Sequence, residues 1–278
     1  MKDRRLDLTS PIESAAFDPQ EPPAPVPPDR WWGNHLGELR WQLELSRLLV
    51  DPVYYGLGIP HGDGAPLIAI PGFLAGDTSL AVMRDWLWRI GYRAHRASIV
   101  ANIDCSNRAV NALEQRLERV ADRSGQRVAL IGHSRGAHFA KALAVRRPEL
   151  VASVISLGAG LDTPFDISVP TQAAVATVRR ILALTNDELA RSGCFTATCR
   201  CAFARDYGAQ FPSQVPLTSI YSRGDGVVRW RACRVAYARC VEVASSHVGL
   251  PFNRKVYREI ASTLARDTAT AATSSAAA

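Results

Sequence analysis

Short apolar segments alternate with amphipathic segments along most of this 278-residue chain, and this alternation limits the folds that it can adopt. The short segments are bounded by Gly or Pro and read as buried strands, whereas the segments between them repeat apolar residues every three to four positions. The clearest helix covers residues 107–123, with four apolar side chains on one side: Val110, Leu113, Leu117 and Val120. This pattern predicts an α/β fold with a mostly parallel central sheet flanked by helices.

The predicted elements follow one another regularly except in one stretch. Strands are predicted at 66–71, 93–98, 126–131, 151–157, 215–221 and 235–243. Helices are predicted at 77–90, 107–123, 135–146, 171–184 and 250–264, with a shorter one near 187–193. The interruption at residues 158–215 separates two strands of the sheet, and an insertion of that length usually has a function.

The two ends of the chain differ in composition from the rest. Six of the 17 prolines lie between Pro19 and Pro28, so residues 1–30 are predicted to form an extended N-terminal arm. The residues after Asp267 are only Ala, Thr and Ser, and 267–278 is predicted as a disordered tail. The remaining residues, 31–266, are expected to form one domain.

Charge and hydropathy narrow the classes of partner. The formal net charge is +7, but it comes almost entirely from Arg and includes no run of five like charges. A solvated surface therefore explains it better than a nucleic-acid site. No stretch of 18 apolar residues predicts a transmembrane helix, and the first residues lack the apolar segment of a secretory signal. We expect a cytoplasmic protein, with a secreted mature form as the open alternative.

The strongest chemical signal is the sequence GHSRG at residues 132–136. It follows an apolar strand and precedes a helix, which is the setting that the G-x-S-x-G turn requires. Such a turn lifts the Ser134 hydroxyl above the sheet edge, and the flanking glycines leave room for the neighbouring strand and helix. Ser134 is therefore the predicted nucleophile.

A serine hydroxyl needs a base and an orienting acid, which on this type of fold follow it in the order acid, then histidine. His247 is the only histidine after His138, and it lies between the last strand and the last helix. Asp225 follows the preceding strand in a tight turn between two glycines and is preferred as the acid over Glu242. The predicted triad is Ser134, Asp225 and His247.

Two backbone amides are candidates for an oxyanion hole. The Arg135 N–H lies at the start of the helix that follows Ser134. The second donor is expected in the loop PGFLAG at residues 71–76, where Gly72 permits a close backbone approach. Its position favours the Phe73 N–H, with Leu74 as the alternative.

These motifs together resemble the α/β-hydrolase superfamily, and most of all small bacterial serine lipases and esterases. The resemblance rests on PGF at 71–73, GHSRG at 132–136, YSRGDGVV at 221–228 and SHVGL at 246–250. It covers roughly two thirds of the chain. Pro71 departs from the histidine of many esterases, and Arg135 stands where many lipases have a smaller residue. The Arg135 side chain could bind an anionic substrate group, or simply face solvent or a neighbouring acid.

The resemblance implies a function and a role for the insertion. The function is hydrolysis of carboxylic esters through an acyl-enzyme, with a small-molecule ester or lipid as substrate and with neither cofactor nor metal. A thioesterase or acyltransferase with the same triad is the alternative, and a non-catalytic lipid-binding or partner-binding protein is a further one. Residues 158–215 are expected to form a helical cap, whose predicted helix 171–184 either covers an acyl pocket or packs on the sheet.

Two further expectations follow from the resemblance. Cys233 and Cys240 bracket the connection between the acid loop and the last strand, and a disulfide there would brace the two loops, as bridges do in some extracellular lipases. Two buried thiols are the alternative. The basic surface suggests peripheral contact with anionic lipid.

Overall fold

Six parallel strands form the central sheet in the part of the chain that the structure, a computed structural model, describes: residues 32–185 and 201–276. The strands lie in the order β2-β1-β3-β4-β5-β6. They span β1 Pro66–Ile70, β2 Arg93–Arg96, β3 Val128–His133, β4 Val151–Leu157, β5 Leu217–Tyr221 and β6 Arg239–Glu242. Each of the six predicted strands is present, with differences of a few residues at the ends, so the predicted parallel α/β architecture is confirmed.

Helices cover both faces of this sheet. They are α1 Trp41–Leu49, α2 Ala81–Arg89, α3 Ser106–Ser124, α4 Arg135–Arg146, α5 Val169–Thr185, α6 Ala202–Gly208 and α7 Arg254–Ala276. Short 3₁₀ helices precede α1, α2 and α7, at His35–Arg40, Asp77–Leu80 and Leu250–Phe252. The shorter helix predicted near 187–193 and the N-terminal arm predicted at 1–30 lie outside the described residues.

Helix α7 continues to Ala276, into the segment for which the sequence predicts disorder. The added turns are rich in alanine, which has the highest helix propensity of the amino acids. An alanine-rich end that follows an established helix extends it at little cost, because propagation is easier than nucleation.

Two apolar layers hold the helices to the sheet. The strands β1, β3 and β5 are buried along their whole length, as expected for strands covered on both faces. One layer centres on Trp86 of α2 and Tyr257 of α7, both fully buried with ring centroids 4.3 Å apart. The other centres on Phe139 of α4 and Leu117 of α3. The sheet is thereby fixed between two helical layers, which gives its strand ends a rigid base.

The helical segment at residues 35–49 has no counterpart among the predicted elements. Its first turns expose Leu36, Leu39 and Leu43 and bury Glu38, and of its leucines only Leu48 is buried in the core. The segment therefore lacks the repeated core-facing apolar positions that predict an amphipathic helix. The Trp41 ring packs at 5.7 Å from the ring of Phe252, which ties the segment to the loop before α7.

Candidate active site

The carboxyl ends of β1, β3, β5 and β6 meet at one edge of the sheet because the strands are parallel. The segments that follow these strands carry the residues predicted to act in catalysis. Phe73 follows β1, Ser134 follows β3, Asp225 follows β5 and His247 follows β6. This edge is where ligands bind in open parallel sheets.

Ser134 lies on a sharply strained turn between β3 and α4. Its φ of 52° and ψ of −125° fall in a region that non-glycine residues rarely adopt. A Cβ on Gly132 would lie 2.4 Å from the Ala137 backbone, and one on Gly136 would lie 2.2 Å from the Ile70 carbonyl oxygen. The spacing of the glycines in GHSRG is thus required by the close contact between strand and helix, as predicted for a nucleophile turn.

Asp225 and His247 form a buried hydrogen-bonded pair. The distance between His247 Nδ1 and Asp225 Oδ2 is 2.7 Å, and the residues are 4% and 5% exposed. Asp225 Oδ1 accepts hydrogen bonds from the Val227 and Val228 amides, both at 2.8 Å, which fixes the carboxylate. Burial alone lowers the pKa of His247, but the charge and hydrogen bond of Asp225, with a further contribution from Glu38, outweigh it and raise the pKa.

Glu242, the alternative acid, lies elsewhere. It is an exposed residue at the end of β6, and its carboxylate pairs with Arg223. Of the two candidates, the structure therefore brings only Asp225 to His247.

The backbone of His247 is held from two sides by His133 and Glu38, neither of which belongs to the predicted triad. The His133 Nε2 donates to the His247 carbonyl oxygen at 3.0 Å, and the two rings lie 4.9 Å apart. Burial, with the nearby His247 charge, lowers the pKa of His133 to about 3, so His133 is neutral. On the other side, the His247 N–H donates to Glu38 Oε1 at 3.0 Å. Glu38 lies more than 200 residues away in the chain, so no local pattern marks it.

The loop at residues 71–76 lies against the nucleophile. A Cβ on Gly72 would lie 3.1 Å from the Ser134 Cβ, so glycine is needed for this approach. The Leu74 amide, the alternative oxyanion donor, donates to the Asn102 carbonyl oxygen at 3.3 Å, so it is engaged within the protein. Leu74 itself has a φ of 62°, and this second strained residue accompanies the tight curl of the loop.

The Arg135 side chain forms hydrogen bonds within the protein. Its guanidinium donates to the Asn102 carbonyl and side-chain oxygens at 3.0 and 2.7 Å, to the Asp104 carbonyl at 2.7 Å and to Ser106 Oγ at 3.0 Å. It is 9% exposed. The sequence left two expectations for this side chain, namely binding an anionic substrate group, or facing solvent or a neighbouring acid. Neither of them describes these contacts. Arg135 instead organises the loop at 102–106.

Asn102 connects that loop to the candidate oxyanion hole. Its Nδ2 donates to the Pro71 carbonyl at 2.8 Å, and its own amide donates to the Ala75 carbonyl at 2.8 Å. Asn102 is 1% exposed, so these hydrogen bonds are shielded from water. Arg135, Asn102 and the 71–76 loop thereby form one connected network beside Ser134.

A cavity of about 640 Å³ opens at Ser134 and His247. Most of its lining is apolar, including Leu74, Phe165 and Phe252. Helix α5 contributes one wall, through Pro170, Thr171, Ala174 and Val175, and α6 another, through Phe203, Ala204 and Tyr207. Because none of the described α5 side chains is fully buried in the core, the helix lines this cavity and does not pack on the sheet.

Cys233 and Cys240 are both free thiols, the first buried and the second exposed. The disulfide expected between them is therefore not formed in this structure, and only Cys233 fits the alternative of a buried thiol. Cys240 Sγ lies 3.6 Å from the carbonyl oxygens of Val235 and Ala238. Burial raises the pKa of the Cys233 thiol well above its usual range, so it is unreactive.

Among the described residues, His, Cys, Asp and Glu form no group suited to a metal ion.

Solved structures with this arrangement of strands and helices are α/β hydrolases. The mature form of the Bacillus licheniformis lipase BlEst2 aligns with a TM-score of 0.52 at 16% identity, over 74% of this chain and 94% of that one. A soluble variant of monoglyceride lipase from Saccharomyces cerevisiae, in complex with a substrate analog, aligns with a TM-score of 0.51 at 13% identity, over 75% and 90%. No protein-family model matches the chain, and no curated protein sequence does either. The chain has the α/β-hydrolase fold, and the predicted resemblance is confirmed at the level of the fold.

Proposed function

We propose that this protein is a serine hydrolase that cleaves carboxylic esters of apolar acyl groups. The observation that carries the proposal is that Ser134, on its strained turn, and His247, paired with Asp225, open into the same apolar cavity. A strained serine, a buried His–Asp pair and an adjacent water-poor cavity are the parts that acyl transfer requires. The solved lipases with the same fold agree with this chemistry.

In the proposed reaction, His247 Nε2 removes the proton from Ser134 as its Oγ attacks the ester carbonyl. Asp225 holds Nδ1, which keeps Nε2 as the acceptor and stabilises the imidazolium that forms. His247 then donates the proton to the leaving alcohol, and an acyl-enzyme remains on Ser134. Water activated by His247 releases the acid and restores the serine.

The amides of Phe73 and Arg135 are the proposed oxyanion donors. The Arg135 N–H is at the first residue of α4, where the helix dipole favours negative charge. Gly72 brings the 71–76 loop against Ser134, and the Phe73 N–H of this loop is the proposed second donor to the ester carbonyl oxygen. Donors fixed in a buried site stabilise the developing charge without reorganisation in the transition state.

The substrate class follows from the cavity. Its walls are mainly aliphatic and aromatic, so binding an acyl chain there removes apolar surface from water at about 25 cal/mol per Å². Helix α5 and helix α6 cover the cavity as the predicted cap would. We therefore favour esters with an extended acyl chain over acetate-sized ones.

Contact with an anionic lipid surface is part of the proposal. The N-terminal helical segment exposes Leu36, Leu39 and Leu43, at 82%, 62% and 57%. Leu43 also borders a groove whose charged lining is mainly basic, with Arg40, Arg47, Arg223, Arg254 and Lys255 against Glu44 and Glu242. Exposed leucines beside basic side chains are suited to an interface of acyl chains and anionic headgroups. No helix in residues 32–185 or 201–276 is long and apolar enough to cross a membrane.

Vesicle sedimentation tests the lipid contact. Wild-type protein is expected to pellet with phosphatidylserine-containing vesicles and much less with pure phosphatidylcholine. Replacing Leu36, Leu39 and Leu43 together by serine is expected to abolish the pelleting. Equal recovery with both vesicle types, or binding that survives the triple substitution, contradicts it.

Activity-based labelling and ester hydrolysis test the proposed reaction. Wild-type protein is expected to react with a fluorophosphonate probe at Ser134 and to hydrolyse p-nitrophenyl esters, while Ser134→Ala does neither. A wild-type protein that resists the probe and hydrolyses no ester of any chain length refutes the serine hydrolase. Faster turnover of acyl thioesters, or transfer to an added alcohol in place of water, instead favours the thioesterase or acyltransferase that shares this triad.

A further inference from the structure

Glu38 joins the two loops that carry the acid and the base. Its Oε1 accepts hydrogen bonds from the Gly226 amide at 2.8 Å and the His247 amide at 3.0 Å, and its Oε2 accepts one from the Val248 amide at 2.8 Å. The residue is only 8% exposed. A carboxylate that accepts three amide hydrogen bonds in a buried place is held rigidly and holds its donors equally firmly.

The backbone around Glu38 is packed against the acid loop at contact distance. A Cβ on Gly226 would lie 2.6 Å from the Asn34 carbonyl oxygen and 2.9 Å from Glu38 Oε1. A Cβ on Gly33 would lie 2.0 Å from the Gly226 carbonyl oxygen. Glycine at position 226 is therefore required for Glu38 to reach the amide next to Asp225, so this junction is a specific feature of the fold.

Glu38 also places a negative charge beside the imidazole. The groups that face His247 are Asp225 on Nδ1, Glu38 on the backbone amide, and the neutral His133 on the backbone carbonyl. Of these, Asp225 and then Glu38 favour the protonated imidazole, which is the form that exists during the attack of the serine. Glu38 thus favours the protonated imidazole of His247, as Asp225 does, but without contacting the ring.

We propose that Glu38 is a positioning residue, which sets the distance between the Asp225 and His247 loops and stabilises the imidazolium formed in the reaction. The inference rests on the proposed function, and it makes the N-terminal helical segment part of the active site. It also assigns a reason for the presence of a buried carboxylate in a turn that exposes Leu36 and Leu39.

Glu44 offers a matched control. It belongs to the same helical segment, and it accepts hydrogen bonds from the amide and the hydroxyl of Ser246, both at 2.9 Å. Like Glu38, it anchors the base loop. Unlike Glu38, it is not among the charges that shift the His247 pKa, and its hydrogen bonds within the described residues go to Ser246. A purely structural role of the two carboxylates predicts that neither substitution moves the His247 titration.

The test compares Glu38→Gln with Glu44→Gln in the full chain. For Glu38→Gln we expect kcat to fall about 10-fold with KM within about twofold, because the bound substrate is not contacted. Loss of the negative charge makes the imidazole easier to deprotonate, so the acid limb of the kcat/KM profile moves to lower pH. Glu44→Gln is expected to leave that limb in place. Glu38→Asp keeps the charge, so its acid limb is expected close to the wild-type position, but its shorter side chain spans the two loops less well, so kcat is still expected to fall.

Direct titration of the His247 imidazole by NMR separates this inference from the proposed function, because it needs no substrate. A lower His247 midpoint in Glu38→Gln than in wild type and Glu44→Gln supports the role of Glu38, whether or not an ester is hydrolysed. Equal losses of Tm and kcat in the two glutamine variants, with unmoved midpoints, overturn it. If Glu38→Gln does not fold, Glu38→Asp provides the test. A normal kcat at a normal Tm in Glu38→Asp also overturns the proposal.

Discussion

Gly158 illustrates how a single residue without a side chain limits the catalytic pair. It has a φ of +61°, and a Cβ there would lie 3.1 Å from Asp225 Oδ2 and 3.2 Å from His247 Nδ1. The same Cβ would lie 2.6 Å from the Leu250 side chain. An alanine at 158, directly after β4, would therefore crowd both atoms of the hydrogen bond between Asp225 and His247.

For Gly158→Ala we expect kcat to fall at least 10-fold, with about 1–3 kcal/mol lost from the free energy of unfolding through strain and contact. Gly125→Ala is the control, because Gly125 has a similar φ of +64° but an added Cβ would meet nothing within 4 Å. It is expected to lose about 1 kcal/mol and no activity. Steady-state kinetics and chemical denaturation give both values. A fully active Gly158→Ala protein would show that the His–Asp pair tolerates displacement.

The raised pKa of His247 predicts the pH dependence of activity. His247 must be neutral to act as the base, so the acid limb of kcat/KM is expected above pH 6.5, with activity lost as the pH falls through the raised pKa. For stability the sign is opposite. Protonation of a histidine whose folded pKa is raised stabilises the fold fully below about pH 6.5, and this contribution is lost as the pH rises through the folded pKa.

Asp225→Asn removes the main cause of that shift. The acid limb is expected to move to lower pH, and kcat to fall by about 10⁴-fold because the imidazole loses its orienting partner. Asp166→Asn is the control, since Asp166 pairs with Arg229 and has no contact with His247. Initial rates between pH 5 and 9 test both variants. An acid limb that stays in place in Asp225→Asn would assign the titration to a group other than His247.

At the scale of elements, the loops after β1 and β3 are coupled through Asn102. Its side chain joins the Pro71 carbonyl to the Arg135 guanidinium, so it connects the candidate oxyanion loop to the first residue after the nucleophile. Removing that side chain leaves two buried polar groups without this partner. The loop at 71–76 is then restrained on that side only by backbone hydrogen bonds.

Asn102→Ala is expected to lower kcat by about 10- to 100-fold, less than the removal of an oxyanion donor itself, with KM little changed. The free energy of unfolding should fall by about 1–3 kcal/mol. Asn111→Ala serves as the control, because the Asn111 side chain accepts from Arg146 on the surface, away from the cavity. A loss of stability without a loss of kcat in Asn102→Ala would limit Asn102 to a structural role.

The elements differ in how far local sequence predicts them. The strands and the turn at Ser134 follow from apolar runs and glycine spacing, because burial on both faces and close strand–helix contact act over a few residues. Asp225 and His247 follow from their order after specific strands. Glu38 and Asn102 could not be found in this way, because their contacts join residues about 30 to 210 positions apart. The segment 35–49 was not predicted because most of its leucines face outward and only Leu48 is buried in the core.

At the scale of the whole molecule, the active-site cavity is assembled from parts far apart in the chain. Trp41 and His35 of the N-terminal segment, the 71–76 loop and the helices α5 and α6 each provide one part of its wall. In the proposed reaction, the edge of the sheet supplies the reacting side chains, and the helices above it bound the space for the acyl group. Substrate chain length should therefore be controlled by α5, independently of the catalytic residues.

Adjacent alanines on α5 test this separation. Ala174 lines the cavity, whereas Ala173 is exposed. Ala174→Trp fills part of the cavity, so kcat/KM for p-nitrophenyl decanoate is expected to fall at least 10-fold while that for the acetate stays within about threefold, because only the longer chain meets the indole. Ala173→Trp adds the same bulk toward solvent and is expected to keep the wild-type profile. An unchanged chain-length profile in Ala174→Trp would mean that the acyl chain binds elsewhere, and a parallel loss for both esters would mean that α5 supports the catalytic residues rather than the substrate.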